Sequence, residues 1–250
     1  MNYALQTRRL VKRFGGFTAT DDVSLDIAGG ARHALIGPNG AGKTTLINLL
    51  TGFLAPTSGS VLLEGRDVTR MAQHLRVRSG LARTFQINQL FPGMTVLESV
   101  AMAVCERRGL GARWWRPLAA HTGAIGEAAQ LLGQLGLMDE AHEFTASLAY
   151  GRLRLLEIAL ALAMRPRVLL LDEPAAGVPA GESRELFETI ARLPREVTVL
   201  LIEHDMDLVF RFAERITVLV NGAVLAEDTP QAIARDARVR EVYLGGAADD

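Results

Sequence analysis

Short apolar runs alternate with stretches of helical periodicity along most of the chain. Four runs rich in Val, Ile and Leu, at residues 34–36, 168–171, 197–202 and 216–220, predict buried strands. Such continuous apolar character is typical of parallel sheets, whose strands are covered on both faces. Because helical patterns separate the runs, the chain is predicted to form an α/β core with a largely parallel sheet.

Local patterns near both ends of the chain add to this core. Residues 22–27 and 60–64 predict strands of a separate antiparallel β patch. Asn221-Gly222 stands between two apolar runs and predicts a tight hairpin, because both central residues of a type I′ turn need a positive φ.

The middle of the chain has a different pattern. Residues 91–162 show helical periodicity, with Thr95 and Glu98 spaced as a capping box, and predict a helical lobe inserted into the sheet domain. Residues 107–126 contain four glycines and Pro117, and predict a loop between helices.

Composition narrows the functional classes. With 250 residues, of which 49% are hydrophobic and 22% charged, the chain can bury a large core. The formal charge of −1 gives no global attraction to nucleic acid, so no nucleic-acid partner is expected. The single Cys105 excludes a disulfide framework and fits a reducing cytosol. Without an apolar run of about 18 to 20 residues, a soluble or peripheral protein is expected.

Residues 37–44 read Gly-Pro-Asn-Gly-Ala-Gly-Lys-Thr, which satisfies the P-loop pattern between an apolar run and a helical one. Glycines allow successive backbone amides to converge on phosphate, and the following helix directs its positive end at the same anion. Lys43 supplies an ammonium for the terminal phosphates and the Thr44 hydroxyl a Mg²⁺ ligand. The chain has only one other lysine, Lys12, so a lysine here is informative. The alternative is a glycine-rich turn without function.

Two further apolar runs end in polar side chains. Asp172 and Glu173 follow residues 168–171, and a core does not tolerate them unless they meet a cation or reach a cleft. Asp172 is predicted to bind Mg²⁺ through its water shell, and Glu173 to polarise the water that attacks the γ-phosphate. His204 lies just beyond residues 197–202. The alternatives are that the acids only open a loop and that the histidine is structural.

These strand ends, together with Leu148-Ala149-Tyr150-Gly151 opening a helix, resemble the ATP-binding subunits of ABC transporters. The resemblance extends from Phe14 to Leu244 and implies an α/β P-loop NTPase (RecA-like) fold, with a sheet core, an antiparallel β patch and an inserted helical lobe. It also implies one ABC ATPase domain over 1–250. In that domain, residues 1–90 and 163–250 form the nucleotide-binding core, and 91–162 form the lobe that carries the signature motif at its end.

The resemblance also assigns roles to individual residues. It makes Lys43 and Glu173 catalytic, together with His204 as the γ-phosphate sensor and Gln86 as the residue that links Mg²⁺ and attacking water to the membrane partner. It makes Thr44, Gln86 and Asp172 the metal site. The implied nucleotide contacts are Phe14, Gly37, Asn39, Gly40, Ala41, Gly42, Lys43, Thr44, Thr45, Ala149, Tyr150 and Gly151. Without the family, Phe14 reads as a core residue.

Further short motifs resemble those of the ATPases of branched-chain and other hydrophobic amino-acid importers. Two of them are Glu173-Pro174-Ala175-Ala176-Gly177 and Val242-Tyr243-Leu244-Gly245. The implied protein uses ATP and Mg²⁺ and lies peripherally on the cytoplasmic face of the bacterial inner membrane. Its implied partners are a permease pair, a second ABC ATPase in a homo- or heterodimer, and indirectly a solute-binding protein. The ATPases of urea and amide importers share many of these motifs, so a subunit of such an importer remains an alternative function.

Two residues depart from the family pattern on the half that serves the partner's nucleotide. Arg152 stands where the family has glutamine, and Pro179 where asparagine or aspartate is usual. Proline has no donor and no polar side chain, so a hydrogen bond across the dimer is expected to be missing. The hypothesis is that, in a heterodimer, one ATP site is competent and the second is weakened.

Two alternative functions and the role of one further motif, the Trp pair, are also considered. Soluble ABC-type proteins that act on ribosomes or DNA usually carry two cassettes or a long coiled coil, for which this chain has no room. A regulatory module that does not hydrolyse ATP conflicts with the retained Glu173 and His204. The Trp pair within residues 113–116 is expected to pack on its own lobe, with contact to lipid headgroups or a permease as the alternative.

Overall fold

A computed structural model describes residues 2–84, 90–110 and 117–244 of the chain. The chain forms two compact units. The sheet unit comprises Met1–Leu81, Arg167–Glu173 and Pro194–Asp250, and the helical unit comprises Ala82–Pro166 and Pro174–Leu193. Among the helices of the described ranges, none is long and apolar enough to cross a membrane.

The sheet unit contains an antiparallel sheet near the amino terminus. Its strands are β1 (Tyr3–Phe14), β2 (Phe17–Ala28), β4 (Ser58–Leu63) and β5 (Arg66–Asp67), in the order β2-β1-β4-β5. In β2 the buried residues Val23, Leu25 and Ile27 alternate with exposed ones, so one face of the strand packs into the core. The predicted antiparallel patch is therefore present, and the long strand β1 joins its two predicted strands.

A second sheet has the strand order β10-β9-β3-β8-β7-β6. Its strands are β3 (Arg32–Ile36), β6 (Leu81–Arg83), β7 (Val168–Asp172), β8 (Thr198–Ile202), β9 (Arg215–Val220) and β10 (Ala223–Asp228). Strands β9, β3, β8 and β7 run parallel, and they coincide with the four predicted apolar strands. Asn221 and Gly222 have φ values of 48° and 81°, which confirms the predicted hairpin between β9 and antiparallel β10.

Within the described part of the sheet unit there are five α-helices: α1 (Lys43–Thr51), α2 (Gln73–Arg78), α7 (Met206–Phe212), α8 (Pro230–Arg235) and α9 (Ala237–Leu244). Helix α1 buries four apolar side chains in one core cluster with side chains of both sheets: Leu46, Ile47, Leu49 and Leu50. The burial of this helix between the sheets fixes the segment that carries Lys43 at its first turn.

The carboxyl end of α1 is held by a buried arginine. Arg76 of α2 is 1% exposed, and its Nη1 donates to the carbonyls of Leu49 at 2.8 Å and Leu50 at 2.6 Å. These carbonyls belong to the last helical turn, where the Leu49 carbonyl also accepts from the C-cap Gly52 N–H, at 3.3 Å. A cation there also complements the helix dipole. Arg76 thereby anchors α1 at the end opposite to Lys43.

The helical unit consists of α3 (Val96–Arg107), α4 (Thr122–Gln134), α5 (Tyr150–Ala163) and α6 (Ala180–Ala191). The predicted capping box is confirmed at the start of α3. Thr95 Oγ1 accepts from the Glu98 backbone N–H at 3.2 Å, and Glu98 Oε2 accepts from the Thr95 N–H at 2.8 Å. The box satisfies two amides that the helix cannot pair itself.

The loop predicted over residues 107–126 is wrong in its second half, because α4 begins at Thr122. Its buried residues Ala124, Ala128 and Leu132 are spaced four apart and form one face of the helix. Burial of that face outweighs the helix-weakening effect of the glycines in its first turns.

Candidate functional site

The sheet unit brings three polar strand ends to one edge. Strand β8 lies between β3 and β7, and all three run parallel. In the register Ile202 pairs with Leu35 on one side and with Asp172 on the other. The loop after β3, Glu173 after β7 and His204 after β8 therefore leave the sheet at the same edge, where open α/β sheets bind their ligands.

The backbone of the loop 37–44 approaches other chain segments too closely for side chains at two positions. A Cβ on Gly37 would overlap the carbonyl oxygen of Leu219, and one on Gly42 that of Ala19. Gly42 also has a φ of 96°, a conformation that L side chains rarely adopt. Steric overlap therefore requires glycine at positions 37 and 42, a requirement that the sequence pattern alone does not show.

Lys43 opens α1 directly behind this loop. Its Nζ donates to the carbonyl of Gly37 at 2.6 Å and to that of Pro38 at 3.1 Å. Burial lowers the pKa of Lys43, and the carboxylates of Glu173 and Asp172 act in the opposite direction. The ammonium therefore lies within the electrostatic reach of both acids that follow β7.

Part of the loop is exposed to solvent and open to a ligand. Asn39, Gly40 and Thr44 are exposed, whereas Ala41 is buried and Thr45 is half-buried. The N-cap residue of α1 is Gly42, which has no side chain to accept hydrogen bonds from the first backbone amides of the helix. An uncapped helix start behind a glycine loop is the arrangement that binds phosphate.

The two acids differ in backbone conformation. Asp172 ends β7 as its last residue, and Glu173 follows with a φ of 48°, unusual for a residue with a Cβ. The Glu173 N–H donates to the Ile202 carbonyl at 2.9 Å, which extends the β7–β8 pairing by one bond. Both side chains are half-buried. Strained backbone of this kind is common at functional sites, where surrounding structure holds it.

His204 stands beside a carboxylate that the sequence reasoning missed. Glu203 is 1% exposed, and its Oε2 accepts from the His204 backbone N–H at 3.1 Å and lies 3.6 Å from His204 Nδ1. The imidazole itself is 68% exposed. An acid directly after a buried apolar strand was the available clue, the same one that singled out Asp172. Glu203 thus orients the loop that presents His204 to solvent.

The helical unit holds the remaining predicted contacts at the start of α5. Ala149 is the N-cap and offers no side-chain cap, and the Gly151 N–H donates to Glu182 Oε2 of α6 at 3.2 Å. A Cβ on Gly151 would overlap that carboxylate oxygen. A carboxylate from the next helix therefore occupies the positive end of α5.

The two side chains flanking Gly151 are also engaged within the helical unit. Arg154 Nη2 donates to the Tyr150 hydroxyl at 3.1 Å, and its guanidinium lies 5.2 Å from the centre of the Tyr150 ring. Arg152 Nε lies 3.1 Å from Glu140 Oε1, and its Nη1 lies 3.5 Å from Glu185 Oε1. The Arg152 charge is therefore compensated by acids of its own unit.

Comparison with known proteins decides the family. Residues 20–176 match the family model described as ABC transporter, and residues 223–249 match the one described as branched-chain amino acid ATP-binding cassette transporter. This chain belongs to the ABC transporter family. It is an ABC ATPase, as the resemblance at the strand ends implied.

Individual relatives agree over almost the full length of the ABC ATPase. The high-affinity branched-chain amino acid transport ATP-binding protein LivG of Salmonella typhimurium is 42% identical over 97% of this chain and 98% of its own. BraF of Pseudomonas aeruginosa, with the same description, is 41% identical over 97% and 98%. The ADP conformation of MJ1267, an ATP-binding cassette of an ABC transporter, superposes with a TM-score of 0.86 at 33% identity, over 98% and 99% of the two chains. The predicted fold class is confirmed.

Phe14 lies at the end of β1 in the sheet unit of the ABC ATPase. The residue is 48% exposed, which excludes the core role that Phe14 suggests when the family resemblance is left aside. The ammonium of Lys12 lies 5.0 Å from the ring centre. Phe17, its partner across the hairpin, is 65% exposed and was not singled out in the sequence. Stacking of adenine on Phe14 stays a prediction.

Two predicted features lie outside the described residues: Gln86, and the Trp pair of residues 113–116. Their roles stay predictions. The described residues of the predicted site separate into two groups. One lies at the carboxyl-terminal edge of the second sheet in the sheet unit, and the other lies at the start of α5 in the helical unit, which we name the signature end after the prediction.

Proposed function

We propose that this ABC ATPase powers the uptake of branched-chain or other hydrophobic amino acids through a membrane permease pair. The observation that carries the proposal is the match of residues 223–249 to the branched-chain cassette model, in a chain whose sheet edge unites Lys43, Glu173 and His204. LivG and BraF are both described as branched-chain amino acid transport ATP-binding proteins, which supports the same substrate class.

The residues of the sheet edge fit a nucleoside triphosphate. We assign the amides of residues 37–44 and the Lys43 ammonium to the phosphates, with Thr44 and Asp172 as the residues that would hold Mg²⁺. When bound, Mg²⁺ supplies positive charge that neutralises the phosphate oxygens. Glu173 accepts the proton of the attacking water, and His204 contacts the γ-phosphate. Hydrolysis then depends mainly on placement and charge stabilisation.

We assign the ABC ATPase to the cytoplasmic face of a bacterial inner membrane, as a peripheral subunit. A second ABC ATPase completes each nucleotide site by contributing its signature motif, here Ala149, Tyr150 and Gly151. A permease pair docks near Gln86 and the helical lobe, and a solute-binding protein delivers the amino acid. Closure and reopening of the ATPase pair is the mechanical step.

The test is ATP hydrolysis by the purified chain, alone and co-assembled with its permeases in vesicles. Leucine-loaded binding protein is expected to stimulate hydrolysis several-fold. Glu173→Gln should lower turnover by about 100-fold or more, the usual loss on removal of a general base, while MgATP still binds. Glu188→Gln, an exposed acid on α6, is the matched control and should leave turnover unchanged.

Other outcomes would contradict the proposal in distinct ways. Stimulation by a urea- or amide-loaded binding protein, but not by leucine, would transfer the ABC ATPase to the urea and amide importers. Stimulation by ribosomes or DNA, but not by permeases, would reject transport. If Glu173→Gln slowed nothing, the assignment of the catalytic base would be wrong.

A further inference from the structure

A buried arginine of α5 joins the signature end of the ABC ATPase to the segment that follows Glu173. Arg154 is buried, and so is Glu157 one turn further along the same helix, although both side chains are ionisable. The proposed mechanism gives neither residue a role. Helix α5 and residues 174–177 both belong to the helical unit.

The guanidinium of Arg154 donates to three different groups. Its Nη1 donates to Glu157 Oε2 at 3.0 Å. Its Nη2 donates to the Tyr150 hydroxyl at 3.1 Å and to the Ala176 carbonyl at 3.3 Å. Since an arginine presents five N–H donors in a fixed planar arrangement, one buried side chain holds a carboxylate, a hydroxyl and a backbone carbonyl together.

The tyrosine at the signature end is also held by the backbone of the segment after Glu173. A Cβ built on Gly177 would lie 3.2 Å from the Tyr150 hydroxyl. Gly177 has a φ of 76°, in the left-handed region that favours glycine. The hydroxyl end of the ring therefore packs directly against this glycine, while Tyr150 as a whole stays exposed and accessible to a ligand.

The buried ion pair needs an explanation other than stability. Burial raises the pKa of Glu157, and the neighbouring Arg154 acts in the opposite direction. A buried ion pair contributes little stability compared with well-packed apolar side chains of the same volume. Charge-assisted hydrogen bonds do, however, hold their partners in one geometry.

We propose that Arg154 is a positioning residue for the signature end, which holds Tyr150 against residues 174–177. Glu157 directs the guanidinium toward the tyrosine hydroxyl and the Ala176 carbonyl. In the proposed dimer the signature end meets the nucleotide of the second ATPase, where placement carries most of the catalytic effect. The inference rests on the proposed function, because it concerns the signature motif of the same ATPase pair.

The ordinary alternative is that Arg154 and Glu157 only stabilise the helical unit. Arg107 is the matched control, because it is half-buried in the same unit and its Nη2 lies 2.7 Å from Glu127 Oε2. Arg107→Lys keeps the charge and should lower the Tm without changing turnover. Arg154→Lys also keeps the charge but loses the planar fork that reaches Tyr150.

The test compares the Kd of the isolated full chain for MgADP, which is not hydrolysed, with the kcat for ATP in the assembled transporter. The Kd reports on the phosphate loop, whereas kcat also requires the signature end. Tyr150→Phe should lower kcat by about 3- to 10-fold, the effect of one hydrogen bond, and Arg154→Lys by about 10-fold. In both variants the Kd should stay within about twofold of wild type. Combining the two changes should cost little more than Arg154→Lys alone, because both remove the same link.

An apolar replacement of the ion pair separates geometry from stability. Arg154→Met combined with Glu157→Leu removes both charges from the buried site and should keep the Tm near that of the wild type. It should nevertheless lower kcat by about 10-fold, because the Tyr150 hydroxyl loses its donor.

A kcat within about twofold of wild type for Tyr150→Phe overturns the inference, whether or not the arginine variants fold. So does an equal loss of kcat in Arg107→Lys, or a rise in the Kd for MgADP as large as the fall in kcat. Full additivity of Tyr150→Phe and Arg154→Lys would also reject it, since Arg154 would then act elsewhere. If Glu173→Gln abolishes turnover in any of these cases, the proposed function survives and only the role of Arg154 is rejected.

Discussion

The phosphate loop of the sheet unit and the signature end of the helical unit are held by different means. Apart from Lys43, whose ammonium binds two loop carbonyls, the contacts described around the loop are backbone against backbone, such as Gly42 against the Ala19 carbonyl. At the signature end the contacts are side-chain carboxylates, with Glu182 on the Gly151 amide and Glu140 on Arg152. Backbone contacts exclude every side chain, whereas carboxylate contacts adapt to a changed partner. Of the two departures from the family pattern, Arg152 lies among these carboxylates, and Pro179 begins the helix that carries Glu182.

The first prediction, with the largest expected effect, concerns the loss of MgATP affinity when the backbone contacts of the loop are disrupted. Gly42→Ala should weaken MgATP binding by more than about 100-fold, because the new Cβ overlaps the Ala19 carbonyl and the φ of 96° is unfavourable for alanine. Gly40→Ala is the matched variant, since Gly40 has a φ of 78° but no atom near the position of a Cβ. It suffers backbone strain alone and should lose about 10-fold.

Binding is measured by calorimetry on both variants, with Tm as a check of folding. The comparison between the two glycines is the informative quantity. Equal losses in Gly40→Ala and Gly42→Ala would show that the close approach to Ala19 does not control the loop. Retained binding in Gly42→Ala would contradict the geometry of the loop itself.

The sequence predicted this edge well because its information is local. Continuous apolar runs specify β3, β7 and β8, and parallel pairing then brings their polar ends together without further information. The fixed spacing of the glycine loop likewise needs no distant partner. Even the hairpin at Asn221 follows from the φ values that its two residues tolerate.

The contacts that the sequence did not predict join distant residues or oppose a local rule. Glu182 meets Gly151 across 31 positions, and nothing in either neighbourhood identifies the pair. The loop prediction fails over α4 because glycines are typical of loops, whereas here the burial of Ala124 and Leu132 determines the helical conformation.

The second prediction separates the two units by the pH at which each loses stability. In the sheet unit, His33 is 1% exposed and its Nε2 lies 2.7 Å from Thr217 Oγ1. Burial, with a smaller effect of Arg215, lowers the pKa of His33 to about 4. Because the unfolded chain binds the proton first, about 3 kcal/mol of stability is present above pH 6.5 and is lost as the pH falls to 4.

The helical unit should lose stability at lower pH. Burial alone would raise the pKa of Glu127, but hydrogen bonds from Arg107, Arg108 and Arg165 outweigh it and hold the pKa at about 2. About 1 to 2 kcal/mol, after screening by solvent, is present above pH 4.5 and is lost as the pH falls toward 2. Hydrogen exchange resolved by unit, from pH 7 to 2, measures both losses. His33→Gln should flatten only the first and Glu127→Gln only the second. Loss of both units in a single window would contradict the assignment.

The third and smallest effect concerns the two departures at the signature end. Arg152 is bound to Glu140 and also donates to the Gly136 carbonyl at 3.1 Å, so its charge is already satisfied inside its own unit. A guanidinium at this position has two alternative roles, as a bidentate cation for phosphate or as a steric change in the signature turn, and the pairing with Glu140 favours the second. Pro179 is the N-cap of α6, a position at which asparagine or aspartate would supply a capping oxygen.

Arg152→Gln combined with Pro179→Asn should therefore raise ATP turnover per assembled transporter by about two- to fivefold, the effect of about one recovered hydrogen bond at the second site. The single variants sharpen the argument because they change stability in opposite directions. Arg152→Gln leaves Glu140 without its cation and should lower the Tm, whereas Pro179→Asn adds a cap worth about 1 kcal/mol and should raise it. Unchanged or lower turnover in a fully assembled double variant would count against a weakened second site. In that case the signature turn, with its carboxylates around Gly151 and Arg152, already supports ATP hydrolysis at the second site. The two departures from the family pattern would then leave the activity of that site unchanged.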